Sequence, residues 1–213
     1  HEHHTELLAR GCDAHLFTFG YTWHRRAAEP RNVWRTLGVP LGASPFRANI
    51  MLSAQACGAA RQLDLFHIHE PFGIGWVAGR QLARRWRKAM VFTVHTRHDI
   101  YIHNWPRWLQ PAMQWQARRT IAGFISQSSI TSAPSHDTAA WLRAIAPEHA
   151  EKIVVSHNGV RLDQFERALP EPRGRLGLPA NACVFIYVGR LTPEKNLPVL
   201  LDAFARARRR GCG

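Results

Sequence analysis

The chain has 213 residues, with 28 Lys+Arg against 15 Asp+Glu, a formal net charge of +13 before any of its 13 histidines is counted. Hydrophobic residues make up 46% and charged residues 20%, enough apolar side chain for a real core, so wholesale disorder is excluded and one large domain or two small ones is expected. No apolar run approaches the roughly 18 residues that cross a bilayer, and His1-Glu2-His3-His4 is neither a signal peptide nor a Met start, so a cytoplasmic chain truncated at its front is expected.

In chain order, Glu2 to Arg10 has helical spacing and stops at Gly11, and Ala14 to Phe19 reads as a short strand. Residues 20 to 48 carry Gly, Pro and arginines without a period and read as a long surface loop. Asn49 to Leu63 reads as helix, Asp64 to His69 as strand, Gly75 to Arg87 as helix and Met90 to His95 as a buried strand. Arg107 to Ala122 is a further helix and Ile130 to Ala133 a strand. Ser135 then N-caps a helix running to about Ala146, and Lys152 to Ser156 is another strand. Strands alternating with helices of this length predict a parallel α/β sheet, Rossmann-like, with helices on both faces.

After Leu169 the Pro/Gly punctuation up to Asn181 reads as a linker. Cys183 to Val188 is an apolar strand and Leu197 to Arg210 an amphipathic helix. One βα unit cannot bury its own faces, so it is expected to open a second, truncated domain. The expected division is 1–168, 169–182 and 183–213.

The cysteines, Cys12, Cys57, Cys183 and Cys212, form no C-x-x-C pair, so reduced thiols are expected and no zinc knuckle is read. The positive charge anticipates acidic company: nucleic acid, anionic lipid or a phosphorylated small molecule. Gly189-Arg190 to Lys195-Asn196 is a strand-to-helix turn where a glycine allows close approach and two cations meet a helix N-terminus, a cradle for a diphosphate. An ordinary loop with solvated cations fits the same residues. Gly73, Gly75 and Gly79 miss the dinucleotide spacing G-x-G-x-x-G by one residue and read as a tight turn beside a cleft.

His67 and His69 stand two apart on a strand, hence on one face, with Glu70 beside them. The pattern suits a metal, but without a third ligand at a recognisable spacing it reads as structural or substrate-lining. His1, His3 and His4 read as a solvated chain end. Thr93 to Asp99 ends a buried strand, where ligands bind in parallel sheets, so His95 can donate to a sugar or phosphate and Asp99 can orient a neighbour. Trp105, Trp108, Leu109, Ala112 and Trp115 follow helical spacing with Arg107, Arg118 and Arg119 flanking them. Such a stripe fits either a membrane interface or, more commonly, a core-facing side.

These segments together resemble the retaining GT-B glycosyltransferases of glycosyltransferase family 4 over nearly the whole chain. His67-Ile68-His69-Glu70-Pro71-Phe72 is similar to the family's H-x-H segment and Val94-His95-Thr96 to its strand ending in histidine. Ser156-His157-Asn158-Gly159-Val160 with Phe165 is similar to N-G-V-D-x-x-x-F, and Val188-Gly189-Arg190-Leu191 with Glu194-Lys195-Asn196 to the V-G-R-x-x-x-E-K turn. Arg161 stands where the family has aspartate. The run from His95 to Pro106 resembles members that glycosylate diacylglycerol, with His98 and Asn104 in place of aromatic residues.

The resemblance implies a hexosyltransferase that uses a nucleotide-sugar donor with retention of configuration. It implies His95 at the donor sugar, Gly189, Arg190 and Lys195 at the diphosphate, and His69, Glu70, Arg97, Asp99, Asn158 and Gly159 lining the substrates. No metal or other cofactor is implied. The acceptor is a lipid or small molecule, an anionic membrane surface is an expected partner and nucleic acid is not, the location then being peripheral at the inner membrane face. The family's paired glutamates fall outside the sequence, so the fragment is expected to be inactive alone. A basic nucleic-acid-binding protein is the alternative from a different class.

Overall fold

The computed structural model of the chain describes residues 2–20, 32–37, 39–40, 47–48, 52–73, 75–99, 106–160, 162–166, 173–179, 181–189, 191–192 and 195–211. They fall into two compact units, His1–Gly159 and Val160–Gly213. The first is α/β.

Helix α1 (Glu2–Ala9) leads into strand β1 (Leu16–Gly20). His4 is buried and its Nε2 lies 3.0 Å from the Ala14 carbonyl, so it ties α1 to the segment leading into β1 and is not a solvated end. The stretch expected to be a loop contains β2 (Val33–Leu37), β3 (Val39–Pro40) and β4 (Arg47–Ala48). β2 runs parallel to β1, and β3 pairs antiparallel with β4. Side chains help to select the first pairing: Asn32 Nδ2 donates to the Ala14 carbonyl at 2.6 Å and Trp34 Nε1 to His15 Nδ1 at 3.0 Å.

Helix α2 covers Ala54–Gln62, later than the expected start at Asn49, because Ser53 supplies the N-cap and accepts from the Ala56 N–H at 3.1 Å. Residues 49–51 lie outside the described residues. The main sheet holds β5 (Leu65–Ile68), β6 (Ala89–Thr93), β7 (Ile130–Ala133) and β8 (Ile153–Val155), all parallel, in the order β5-β6-β7-β8. Between them run a π-helical segment (Trp76–Ala83), α3 (Gln110–Gln127) and α4 (His136–Ile145). Ser135 caps α4 as expected, its Oγ accepting from the Thr138 N–H at 3.2 Å.

A sheet whose strand order follows chain order steps in one direction. A right-handed crossover at each step therefore puts every connecting helix on the same face. The buried cluster agrees: Phe66, Ile68, Met90, Phe92, Ala133 and Ile153 of the sheet pack with Ala83, Ile121, Phe124, Ile125 and Leu142 of the connections. Phe92 and Phe124 meet at 5.0 Å between ring centroids. On the opposite face Leu65, Ile130 and Val154 are 43 to 48% exposed, so the expected cover on both faces is realised on one among the described residues.

Two glycines permit close approach after β5, Gly75 at the start of the π-helical segment and Gly79 within it. A Cβ on Gly75 would lie 1.5 Å from the Glu70 carbonyl oxygen, and one on Gly79 would lie 2.6 Å from Phe124 Cε1. Both positions serve close packing, which the reading as a tight turn did not include.

The second unit holds α5 (Leu162–Glu166), a 3₁₀ turn (Arg173–Leu176) and α6 (Leu197–Arg209). The expected strand at Cys183 to Val188 is not formed: the segment has no ladder partner among the described residues, and Phe185, Ile186 and Val188 are exposed. An apolar run without a neighbouring strand has no ladder in which to satisfy its backbone groups. Cys12, Cys57 and Cys183 are free thiols. No helix among the described residues is long and apolar enough to cross a membrane.

Candidate active site

Parallel β5 and β6 are in register with Ile68 opposite Phe92, so the residues that follow each strand emerge side by side at the carboxyl edge of the sheet. That edge is where parallel α/β sheets bind ligands. The alternation of β5 buries Phe66 and Ile68 and leaves His67 on the exposed face.

Three imidazoles meet there. The His67 and His69 rings lie 4.1 Å apart between centroids, and His69 Nδ1 is 2.9 Å from His95 Nε2. His67 Nε2 is 2.8 Å from Thr93 Oγ1, which ties the β5 face to β6. Burial holds His95 below the usual imidazole pKa, favouring its neutral form. Among the described residues no group of three or more His, Cys, Asp or Glu side chains is arranged to hold a metal ion.

Beside the imidazoles, His98 Nε2 lies 3.3 Å from Glu70 Oε1. Burial raises the Glu70 pKa to about 7, against the opposing pull of the Phe72 N–H that donates to its carboxylate. Burial also lowers His98, with the charge of Asp99 acting in the other direction. Both shifts share one cause, burial, which works against the charged form of each group.

Asp99, expected to line the substrate, is instead 1% exposed. Its Oδ2 accepts from Trp141 Nε1 at 3.0 Å, from Arg118 at 3.3 Å and from Arg97 at 3.5 Å. Arg97 also stacks over Trp141, 4.8 Å from the ring centroid, and lies 3.8 Å from Asp137. Arg97 is therefore held by structural partners as well as standing near the edge.

His69 thus meets His95 directly, Glu70 meets the nearby His98, and Arg97 and Asp99 pair with each other on the same segment. Asn158 and Gly159 follow β8 in chain order and are exposed; the neighbouring His157 Nδ1 is 2.9 Å from the Pro134 carbonyl after β7. Gly189 and Lys195 lie in the second unit, both exposed, with the Lys195 N–H donating to the Thr192 carbonyl at 3.0 Å. Arg190, Glu194, Arg161 and the run from Ile100 to Trp105 lie outside the described residues.

The family model for Glycosyltransferase Family 4 matches residues 1–164. The chain belongs to glycosyltransferase family 4. Its α/β fold with parallel strands fits the GT-B class of that family. Among family 4 relatives, it is 27% identical over 154 residues to an alpha-monoglucosyldiacylglycerol synthase of Streptococcus pneumoniae, covering 68% of this chain and 33% of that protein. It is 29% identical over 146 residues to a D-inositol 3-phosphate glycosyltransferase of Streptomyces avermitilis, covering 67% and 30%. The enzyme of the same description from Mycobacterium leprae is 27% identical over 223 residues, covering 94% and 49%. The chain thus spans about a third to a half of the length of these relatives.

The tryptophan stripe has its own outcome. Trp108 is 81% and Trp115 59% exposed, so they are not core, and Arg119 sits over the Trp115 ring at 5.1 Å. Arg118, read only as flanking the stripe, reaches Asp99, and Trp141 carried no sequence signal at all. A shallow depression of about 390 Å³ between α3 and α4 is lined by Trp115, Arg118, Arg119, Trp141 and Ile145.

Proposed function

We propose that this chain belongs to a retaining hexosyltransferase that moves a hexose from a nucleotide-sugar donor to a lipid acceptor of the diacylglycerol type, with activity residing in the full-length parent. The observation that carries the reading is the His69–His95 contact at the carboxyl edge of the sheet, in a chain of glycosyltransferase family 4. Neutral His95 has a donor and an acceptor nitrogen, the equipment for orienting a sugar hydroxyl.

The leaving diphosphate gains negative charge as the glycosidic bond breaks. Arg190 and Lys195 are the cations assigned to it, meeting that charge by fixed electrostatics with no metal or other cofactor invoked.

The lipid acceptor is favoured over a soluble one by two features. The Streptococcus pneumoniae relative is named for a diacylglycerol product, and Trp108, just ahead of α3, and Trp115, on α3 with Arg118 and Arg119, are exposed. Exposed indoles with guanidinium groups suit the headgroup layer of an anionic membrane, which supports a peripheral location at the inner membrane face. The relatives named for D-inositol 3-phosphate support a phosphorylated small-molecule acceptor as the second reading. Supplying the full-length parent with a panel of nucleotide sugars, and diacylglycerol vesicles or inositol 3-phosphate as acceptor, tests both. Product on diacylglycerol supports the proposal; product on inositol 3-phosphate alone replaces it with the second reading.

A further inference from the structure

We propose that His69 is a positioning residue that locks the tautomer and ring orientation of His95; the inference rests on the reading of His95 as the group that meets the donor sugar. Two ring planes only 15° from parallel, with centroids 5.2 Å apart and facing nitrogens 2.9 Å apart, require those nitrogens to lie between the centroids. The contact is therefore edge to edge, an N–H···N hydrogen bond, and not a face-to-face stack. One of the two nitrogens carries the bridging proton and the other accepts it, so each ring is held in one tautomer at a time. Adding a second proton to the bridge would set two N–H groups head to head and break it.

His69 is itself braced. The His67 ring lies against it at 4.1 Å and 34°, and His67 is pinned by its contact with Thr93 Oγ1. Thr93 and His95 are on the same segment, the end of β6 and the residues after it. The brace thus starts and finishes there: Thr93 to His67, His67 to His69, His69 to His95. With Nε2 committed to the bridge, Nδ1 is the ring nitrogen through which His95 addresses a ligand. A side chain at position 69 that cannot reach Nε2 frees the ring to rotate and to exchange tautomers.

Two readouts separate this from a general structural role. In the first, ¹⁵N-histidine-labelled protein is examined by long-range ¹H–¹⁵N NMR. His95 is expected in a single tautomer in the wild type, in a mixture in His69→Ala, and again in a single tautomer in His69→Asn, whose amide mimics the Nδ1 position. In the second, the full-length parent is assayed for transfer. His69→Ala is expected to lower kcat about tenfold, the scale of one positioning hydrogen bond, with KM for the donor little changed, and His69→Asn to recover most of the loss. A His95 tautomer that is the same in wild type and His69→Ala overturns the proposal, as does wild-type kcat in His69→Ala when His95→Ala is impaired. Wild-type transfer by His95→Ala instead overturns the reading of His95 at the sugar. The two failures are read from different variants.

Discussion

The indole Nε1 of Trp141 donates to Asp99 Oδ2 at 3.0 Å across 42 residues of sequence, tying helix α4 to the segment that carries His95 and His98. Arg118 of α3 reaches the same oxygen, so two helices fix one loop through a single carboxylate. At 1% exposure that carboxylate has lost its water and depends on these donors.

Removing the carboxylate strands its cationic partners. Asp99→Ala is expected to cost about 3 kcal/mol in urea unfolding. Trp141→Phe, which keeps the ring and loses one donor, should cost about 1 kcal/mol. Equal stability of Asp99→Ala and the wild type would show that the hub does not hold the loop.

Packing at the end of β5 makes a second prediction. Gly79→Ala pushes a methyl group against Phe124, Met90 and Ile68 and should destabilise by about 1–3 kcal/mol. Gly75→Ala faces the backbone oxygen of Glu70, which cannot rotate away as a side chain can, and should cost more. Denaturant midpoints of the two variants check the order.

The raised pKa of Glu70 predicts a pH slope of definite sign. Between its ordinary value of 4.5 and about 7 the folded state holds a proton that the unfolded state has lost. Its contribution to stability therefore falls as pH rises through that window and is level above it. Glu70→Gln lacks this slope and should gain stability relative to wild type by on the order of 1 kcal/mol from pH 4.5 to 7, a modest figure because the side chain is 41% exposed. The lowered pKa of His98 acts oppositely: its folded pKa lies below 6.5, so its contribution is lost as pH falls through that region. Melting curves across pH 4 to 8 for the wild type and Glu70→Gln separate the two slopes, since the variant keeps only that of His98.

Much of this was legible in the sequence where local chemistry decides. The alternating burial of Leu65 to Ile68, the strand Ile130 to Ala133 and the Ser135 cap follow from period and cap chemistry alone. The positions of His69 and His95 at strand ends were legible too, but their meeting depends on the pairing of β5 with β6, which no spacing gives. What escaped depends on distant partners. β3 and β4 are two residues each and too short to show a period. Cys183 to Val188 has the composition of a strand but no ladder among the described residues. Arg118 and Trp141, the two distant partners of Asp99, lie 19 and 42 residues away, a separation that no spacing rule encodes.

The exposed indoles of Trp108, just ahead of α3, and Trp115, on it, predict membrane binding by the full-length parent. Binding should favour vesicles containing phosphatidylglycerol over pure phosphatidylcholine and weaken with salt, since screening shortens charge attraction to about 8 Å at physiological ionic strength. Trp108→Ala with Trp115→Ala should reduce the salt-resistant part, and Arg119→Ala the salt-sensitive part. Equal binding to both vesicle types in co-sedimentation would remove α3 from the membrane account.

The most direct test of the central claim is hexose transfer by the full-length parent from a nucleotide sugar to diacylglycerol, with His95→Ala, Arg190→Ala and Lys195→Ala measured beside the wild type. The account predicts a retained-configuration glycolipid product and a loss of turnover of about 10² or more for either cation variant, the scale of one fixed electrostatic donor. Wild-type turnover in both cation variants would contradict the diphosphate role, and no transfer from any nucleotide sugar by the folded wild-type protein would contradict the account as a whole.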